Sequence, residues 1–307
     1  MANAAVRPEL IEMLARIVGE ENVRANEPMN AHTTFQIGGP ADVYVAPRSA
    51  EQVAAIVKAC READAPLAVV GNGSDLLVAD EGLRCVVMQI LDNMADVRVE
   101  GTRIVAQAGA TNAQVARAAL EAELAGFEFA SGIPGTVGGA AIMNAGAYGG
   151  EFKDVCVELA CVTPDGEFVR VSREDADWSY RHSMMGDAGY IVVEAMLELA
   201  HDEVAAIKER MDDLKARREE KQPLEMPSAG STFKRPEGYF AGKLIQDAGL
   251  RGYRVGGAQV SEKHTGFVVN AGGATAADVR QLIADVQDRV FEQFGVRLEP
   301  EVKMWGF

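Results

Sequence analysis

The chain has 307 residues, 48% hydrophobic and 25% charged, with a formal net charge of −16. That balance fits a soluble globular protein with room for two or three buried cores, and it argues against nonspecific binding to nucleic acid or an anionic membrane. An anionic ligand would need a locally positive pocket.

The N-terminal MANAAVRPELIEML lacks a signal-peptide core, and no stretch approaches the roughly 20 apolar residues of a membrane span. A cytoplasmic protein is expected. A helix is predicted from Pro8 to about Val18, with Leu10, Ile11, Leu14, Ile17 and Val18 on one stripe. ADVYVAP then reads as a strand closed by Pro47. Ser49 and Gln52 form a capping box before Val53, Ile56, Val57 and Cys60, which opens a second helix. Leu67 to Val78 reads strand, glycine turn, strand. A second box, Thr111 and Gln114, opens a helix through about Leu124. Strands are predicted around Val155 to Thr163, Phe168 to Val171 and Tyr190 to Leu199. From Asp202 to Lys221 a charge-rich helix carries Ile207, Met211 and Leu214, and Pro223 and Pro227 follow it. The main domain boundary is placed here. Beyond it come a short helix near Phe240 to Ala248, a strand at Gly266 to Asn270 and a helix from Thr275 to Phe294. Thr275 can cap that helix and Gly295 can end it. The closing VRLEPEVKMW reads as extended. Cys60, Cys85, Cys156 and Cys161 form no CxxC pair and share no metal-ligand spacing with the histidines, so reduced thiols and no metal are expected.

Two glycine-rich segments stand out. Gly71-Asn72-Gly73-Ser74-Asp75 fails the GxGxxG fingerprint because Leu76 takes the third glycine position and a strand follows. Its backbone N–H groups could still form a nest for a pyrophosphate; an ordinary hairpin turn is the plain alternative. Some sixty residues on, SGIPGTVGGAAIMNAGAYGG (131–150) holds seven glycines, four alanines and no charge. Glycine at that density suggests that the backbone itself must approach something closely. Two such loops, neither Rossmann nor P-loop, favour a large nucleotide cofactor. Candidates for the chemistry are Arg181 among Tyr180, His182 and Ser183, Ser231 in AGSTFK, and Glu301 in LEPEVKMW, where burial would raise a carboxyl pKa. A surface arginine, a serine bonding its own loop and a solvent-facing carboxylate are the plain readings.

The ordered motifs HTTFQIGGPAD (32–42), VVGNGSDLLV (69–78), 131–150, YRHS (180–183), AGSTFKRP (229–236), KHTGFVVN (263–270) and LEPEV (298–302) closely resemble UDP-N-acetylenolpyruvoylglucosamine reductase, over about residues 30 to 305. The resemblance implies an α+β fold: an FAD-binding domain of the vanillyl-alcohol-oxidase type, with two α+β subdomains, and a C-terminal α+β substrate-binding domain. The implied division is an N-terminal helical segment (1–30), the FAD-binding domain (31–200) and the substrate domain (201–307), whose last strand is open to packing back on the FAD domain. No long insertion carrying an extra substrate-capping tyrosine is evident, as in the shorter subtype. Non-covalent FAD would contact Gly71, Asn72, Gly73, Ser74 and Asp75 at the pyrophosphate. It would run along Ser131, Gly132, Ile133, Pro134, Thr136, Gly138, Gly139, Asn144, Ala145 and Gly146.

The same resemblance implies that NADPH is the co-substrate and that the enolpyruvyl group of UDP-N-acetylglucosamine enolpyruvate is reduced to UDP-N-acetylmuramate for peptidoglycan. Hydride would come from flavin N5, Arg181 and Glu301 would stabilise the enolate, and Ser231 would supply the proton with Lys234 as an assisting cation. Lys234, Lys243, Lys263 and Asn270 are the expected substrate contacts, and a monomer or weak oligomer is expected. The alternatives are an FAD-dependent oxidase of the same cofactor fold, though His32 and His182 match no flavin-tethering motif, and a non-catalytic flavin or sugar-nucleotide sensor.

Overall fold

The computed structural model describes residues 6–307, so residues 1–5 of the expected N-terminal segment lie outside the described part. Helix Pro8–Val18 forms where predicted, with proline in its first turn and Leu10, Leu14 and Val18 buried. Helix Ala50–Glu62 is capped by Ser49, whose side chain accepts from the Gln52 amide. The box is incomplete there, because Gln52 Oε1 accepts from the Arg48 amide at 2.7 Å. At Thr111 and Gln114 the box is reciprocal. That helix stops at Glu121 rather than near Leu124, since Glu123 turns the chain at φ +60° and Leu124–Ala125 becomes a strand paired with Ala200–His201.

Two compact units emerge. The first contains the residues up to Ala25, Asp42–Asn72 and Cys85–Arg218; the second contains Asn26–Ala41, Gly73–Arg84 and Glu219–Phe307. In the first, a five-stranded antiparallel sheet runs Phe168–Ser172, Cys156–Val162, Ile191–Glu198, Arg103–Gln107, Val97–Glu100. A four-stranded sheet runs Val23–Pro28, Pro40–Val45, Leu83–Gln89, Leu67–Val70, the last two parallel with Leu67 opposite Val86. Its core joins Val43, Ile56, Met88, Val115, Phe152 and Leu197. In the second unit the sheet order is Ser228–Ser231, Phe267–Asn270, Ala258–Val260, Arg254–Val255. Helix Ala276–Phe294 lies against it and buries Val279, Leu282, Ile283, Val286 and Val290.

The sequence predicts a boundary at 200/201 and a separate first segment, whereas the units interleave. Helix Pro8–Val18 belongs to the first core through its buried face. Most of helix Val204–Lys221 belongs there too, because Arg210 reaches Glu128 Oε1 through Nε at 2.9 Å and Nη2 at 2.7 Å and Met211 packs on that core. Phe35, Ile37 and Leu77, early in the chain, build the second core. The predicted strand-turn-strand at Leu67 to Val78 is not a hairpin. Leu67–Val70 pairs with Leu83–Gln89, while Leu76–Val78 pairs in parallel with the final strand, Lys303–Trp305. Only the Lys303–Trp305 part of the extended tail is strand.

All four cysteines are free and buried, and burial pushes the thiols of Cys60, Cys156 and Cys161 up to about 12. Among the described residues no His, Cys, Asp and Glu cluster could hold a metal ion, and no helix is long and apolar enough to cross a membrane.

Thr275 caps the longest helix of the second unit and shares a reciprocal box with Asp278. Thr275→Ala is expected to cost about 1 kcal/mol of stability, and Thr275→Ser only a fraction of that. Urea unfolding followed by far-UV circular dichroism measures both; an alanine variant as stable as the parent would show that the cap contributes nothing.

Candidate functional site

In the first unit the two glycine-rich segments meet. A Cβ at Gly71 would lie 2.4 Å from Thr136 Oγ1, and Asn72 Nδ2 donates to the Pro134 carbonyl. Gly71 is also held through its carbonyl, which accepts from Gln89 Nε2 at 2.8 Å, while Gln89 Oε1 accepts from the Tyr44 hydroxyl at 2.8 Å. Thr136 is buried and caps helix Val137–Met143 by accepting from the Gly139 amide. The amides of Val137 and Gly138 donate to Ala110 and Ala108. These helix-start donors are therefore already engaged with protein.

Several glycines of 131–150 lie close against protein neighbours. A Cβ at Gly132 would meet the Arg218 side chain at 2.9 Å, at Gly138 the Ala108 Cβ at 3.0 Å, and at Gly150 the Phe129 ring at 2.7 Å. The expectation that these glycines serve close approach to a ligand thus needs dividing: much of the approach is to the protein itself. The amides of Gly71, Asn72, Gly73 and Ser74, by contrast, donate to no protein acceptor among the described residues. A chain of amides left open in a turn fits a ligand bearing anionic oxygens.

Arg181 sits at the tip of the tight turn Ser179–His182, closed by Ser179 N–H to His182 O at 3.2 Å and the reverse bond at 3.3 Å. Its backbone is at φ +56°, a region that non-glycine residues seldom occupy and that recurs at functional sites. Its guanidinium lies 4.9 Å from the centre of the Tyr180 ring. The turn is fastened to the end of helix Val137–Met143: Trp178 Nε1 donates to Ala141 O and Ser183 Oγ to Ile142 O, each at 2.8 Å. His182 carries a raised pKa because Asp187 bonds its ring at 2.9 Å. Asn144 is fully buried and its amide is spent on protein partners, which leaves any cofactor contact at this position to its main chain.

In the second unit Ser231 and Glu301 come together through Thr232. Thr232 donates its amide to Gly266 O at 2.9 Å and accepts from the Glu301 amide at 2.8 Å. Thr232 Oγ1 accepts from the Val268 amide at 2.9 Å. Ser231 is exposed, follows Gly230 at φ +72°, and ends a strand whose register shifts between Ser228 and Ser231. Such irregularities re-aim side chains beside active sites. Lys234 bonds Glu299 twice, through its amide to Glu299 O at 2.9 Å and through Nζ to Oε2 at 3.3 Å.

The other expected substrate residues are tied to protein groups. Lys243 pairs with Asp247 four residues on, Lys263 Nζ donates to Glu219 O at 2.6 Å, and Asn270 bonds Phe35 O, Gly272 N and Ala274 N. The turn holding Lys263 reaches the start of the Lys243 helix, where Thr265 Oγ1 donates to Gly242 O at 2.6 Å. Sequence reasoning missed Asn112, Trp178, Thr232 and Thr34. Asn112 Nδ2 donates to Gly135 O at 3.0 Å and its amide to the same carbonyl at 3.1 Å. Thr34 Oγ1 donates to Ser228 O at 2.6 Å. Of these, only Thr34 and Thr232 lie in stretches singled out as motifs.

The profile of the "FAD binding domain" family matches residues 41–172, and that of the "UDP-N-acetylenolpyruvoylglucosamine reductase, C-terminal domain" matches residues 222–305. A UDP-N-acetylenolpyruvoylglucosamine reductase of Agathobacter rectalis is 56% identical over 295 residues, covering 92% of this chain and 93% of its own. That of Caldanaerobacter subterraneus subsp. tengcongensis is 49% identical, covering 97% and 98%. The crystal structure of the Thermus caldophilus reductase superposes with a TM-score of 0.79 at 35% identity, covering 92% of this chain and 98% of that one. The chain belongs to the UDP-N-acetylenolpyruvoylglucosamine reductase family. It is an α+β oxidoreductase whose cofactor is FAD.

Gly71→Ala puts a methyl group into the buried Thr136 cap. Overpacking of this kind costs about 1–3 kcal/mol. If the turn must keep its place to hold the flavin, FAD affinity falls roughly 5- to 150-fold. Flavin fluorescence titration of the apoprotein reads this directly, and an unchanged Kd would show that the contact between the two loops is dispensable for the cofactor.

Proposed function

We propose that this chain catalyses the NADPH-dependent reduction of UDP-N-acetylglucosamine enolpyruvate to UDP-N-acetylmuramate, in the cytoplasm, as a monomer or weak oligomer. What carries this reading is 56% identity, over nearly the whole of both chains, to a relative named for that reductase activity. The chemistry that FAD supplies when bound is two-electron transfer, from NADPH to the enolpyruvyl double bond.

The residues divide that task. The Gly71–Asp75 turn takes the pyrophosphate oxygens, and the uncharged stretch from Ser131 to Gly146 lines the isoalloxazine. Arg181 faces the negative charge that spreads into the substrate carboxylate as the double bond is reduced. A preorganised charge in that role contributes roughly 3–4 kcal/mol to the transition state. Glu301, when it carries its proton, donates a hydrogen bond to the same enolate. Ser231 Oγ gives its proton to the second carbon, and Lys234, three residues on, is the cation assigned to assist it. Lys243 and Lys263 are assigned to the diphosphate, each exchanging a protein oxygen for a phosphate oxygen. Asn270 adds a weaker contact.

Anaerobic stopped-flow absorbance of the flavin separates the two halves of the reaction. NADPH is expected to bleach the holoenzyme and the enolpyruvyl sugar nucleotide to restore its colour. Ser231→Ala keeps the bleaching and loses the recovery. Arg181→Ala slows recovery by about 10²–10³. Recovery only on admitting air would move the assignment to an oxidase, and undiminished recovery in Ser231→Ala would remove its role as proton donor.

A further inference from the structure

The helix Val137–Met143 ends on Asn144, whose backbone adopts φ +42° and whose side chain is wholly buried. Asparagine is at home in a left-handed helix cap for its backbone alone. Here the side chain does more. Nδ2 donates to Glu151 Oε2 at 2.9 Å and to the Ser179 carbonyl at 3.1 Å, and Oδ1 accepts from the Lys153 amide at 3.0 Å. Two acceptors on one side and a donor on the other leave a single way round for the amide. Ser179 begins the turn that carries Arg181 at φ +56°, a conformation that persists only when its surroundings over-determine it.

We propose that Asn144, held by Glu151, is a positioning residue for Arg181. The Asn144 side chain ties the Ser179 end of the turn to Glu151, the residue that follows the uncharged stretch. Trp178 and Ser183 fasten the turn on either side, to Ala141 and Ile142. Glu151 has two parts. It accepts from Lys153 Nζ at 2.8 Å and from Asn144; the Lys153 bond first, then the Asn144 bond, and least the charge of Arg181, hold the Glu151 carboxyl below its ordinary range. The guanidinium is thereby set in place before substrate arrives, and an arginine fixed in this way avoids reorganisation during reaction. The inference rests on the role proposed above for Arg181.

Two variants of the holoenzyme test it. Asn144→Gly keeps the left-handed backbone without strain and removes only the side chain. Asn144→Asp keeps the shape and turns the donor into an acceptor facing Glu151 and the Ser179 carbonyl. In both, recovery with UDP-N-acetylglucosamine enolpyruvate is expected to slow about 10- to 100-fold more than bleaching by NADPH does. The double variant Asn144→Gly with Arg181→Ala is expected to be no slower than Arg181→Ala alone, since the two act as one unit. Additive losses, undiminished recovery in Asn144→Gly, or equal slowing of both halves together with loss of FAD would each overturn the proposal while leaving the role of Arg181 intact. Undiminished recovery in Arg181→Ala would instead remove that role, and this inference with it.

Discussion

A backbone with few polar side chains and no charged ones must have many of its N–H and C=O groups satisfied from elsewhere in the chain. The stretch from Ser131 to Gly150 imposes that constraint on the first unit. Its carbonyls are met from far along the chain: Asn72 bonds Pro134 O, Asn112 bonds Gly135 O, Trp178 bonds Ala141 O, Ser183 bonds Ile142 O and Arg218 bonds Gly132 O. Leaving one such buried group unmet costs about 1–3 kcal/mol. Residues that look unrelated in sequence are thereby recruited to one purpose, and the segment that carries Arg181 is among them.

This explains why the site was only partly legible beforehand. Local signals read well: the box at Thr111 and the cap at Thr275 are formed, Pro8 opens its helix, and Gly295 ends the last one in the left-handed region. The long-range partners gave no sign. Asn112 reads as an unremarkable residue in the first turn of a helix, and Trp178 as an aromatic before a turn. Their significance lies in which carbonyl they meet, and that depends on strand order. For the same reason Leu67 to Val78 reads as strand, turn and strand without showing that its two strands belong to different sheets. Alternation of apolar residues reveals a strand; it does not name its neighbour. The family resemblance supplied the site residues that local patterns could not.

The net charge of −16 bears on how an anion is received. Lys234, Lys243 and Lys263 each have a carboxylate or carbonyl as partner. In a chain this acidic, exposed cations find nearby carboxylates, and surface pairs of that kind contribute little. They exchange partners at small cost, which suits a substrate that comes and goes. A resident cofactor calls for something more permanent. The open amides of Gly71 to Ser74 keep their donors at any pH, and they need no rotamer ordering when an anion arrives.

The turn that presents those amides is itself fixed by exclusion. At Gly71 there is no room for a side chain beside Thr136, and at Gly73 a Cβ would lie 2.1 Å from the His32 carbonyl, with φ at +61° besides. Had Leu67–Val70 and Leu76–Val78 paired with each other, a short turn between them would have closed on its own hydrogen bonds. Because each strand pairs elsewhere, the turn is released from that ladder, and the amides of Gly71 to Ser74 meet no acceptor among the described residues. The two glycines then do different things from those of a dinucleotide fingerprint. They admit protein neighbours close enough to hold the turn still, and the backbone between and after them is what remains for the ligand. That is why the glycine spacing departs from GxGxxG while suiting, in the role proposed above, a similar anion-binding end.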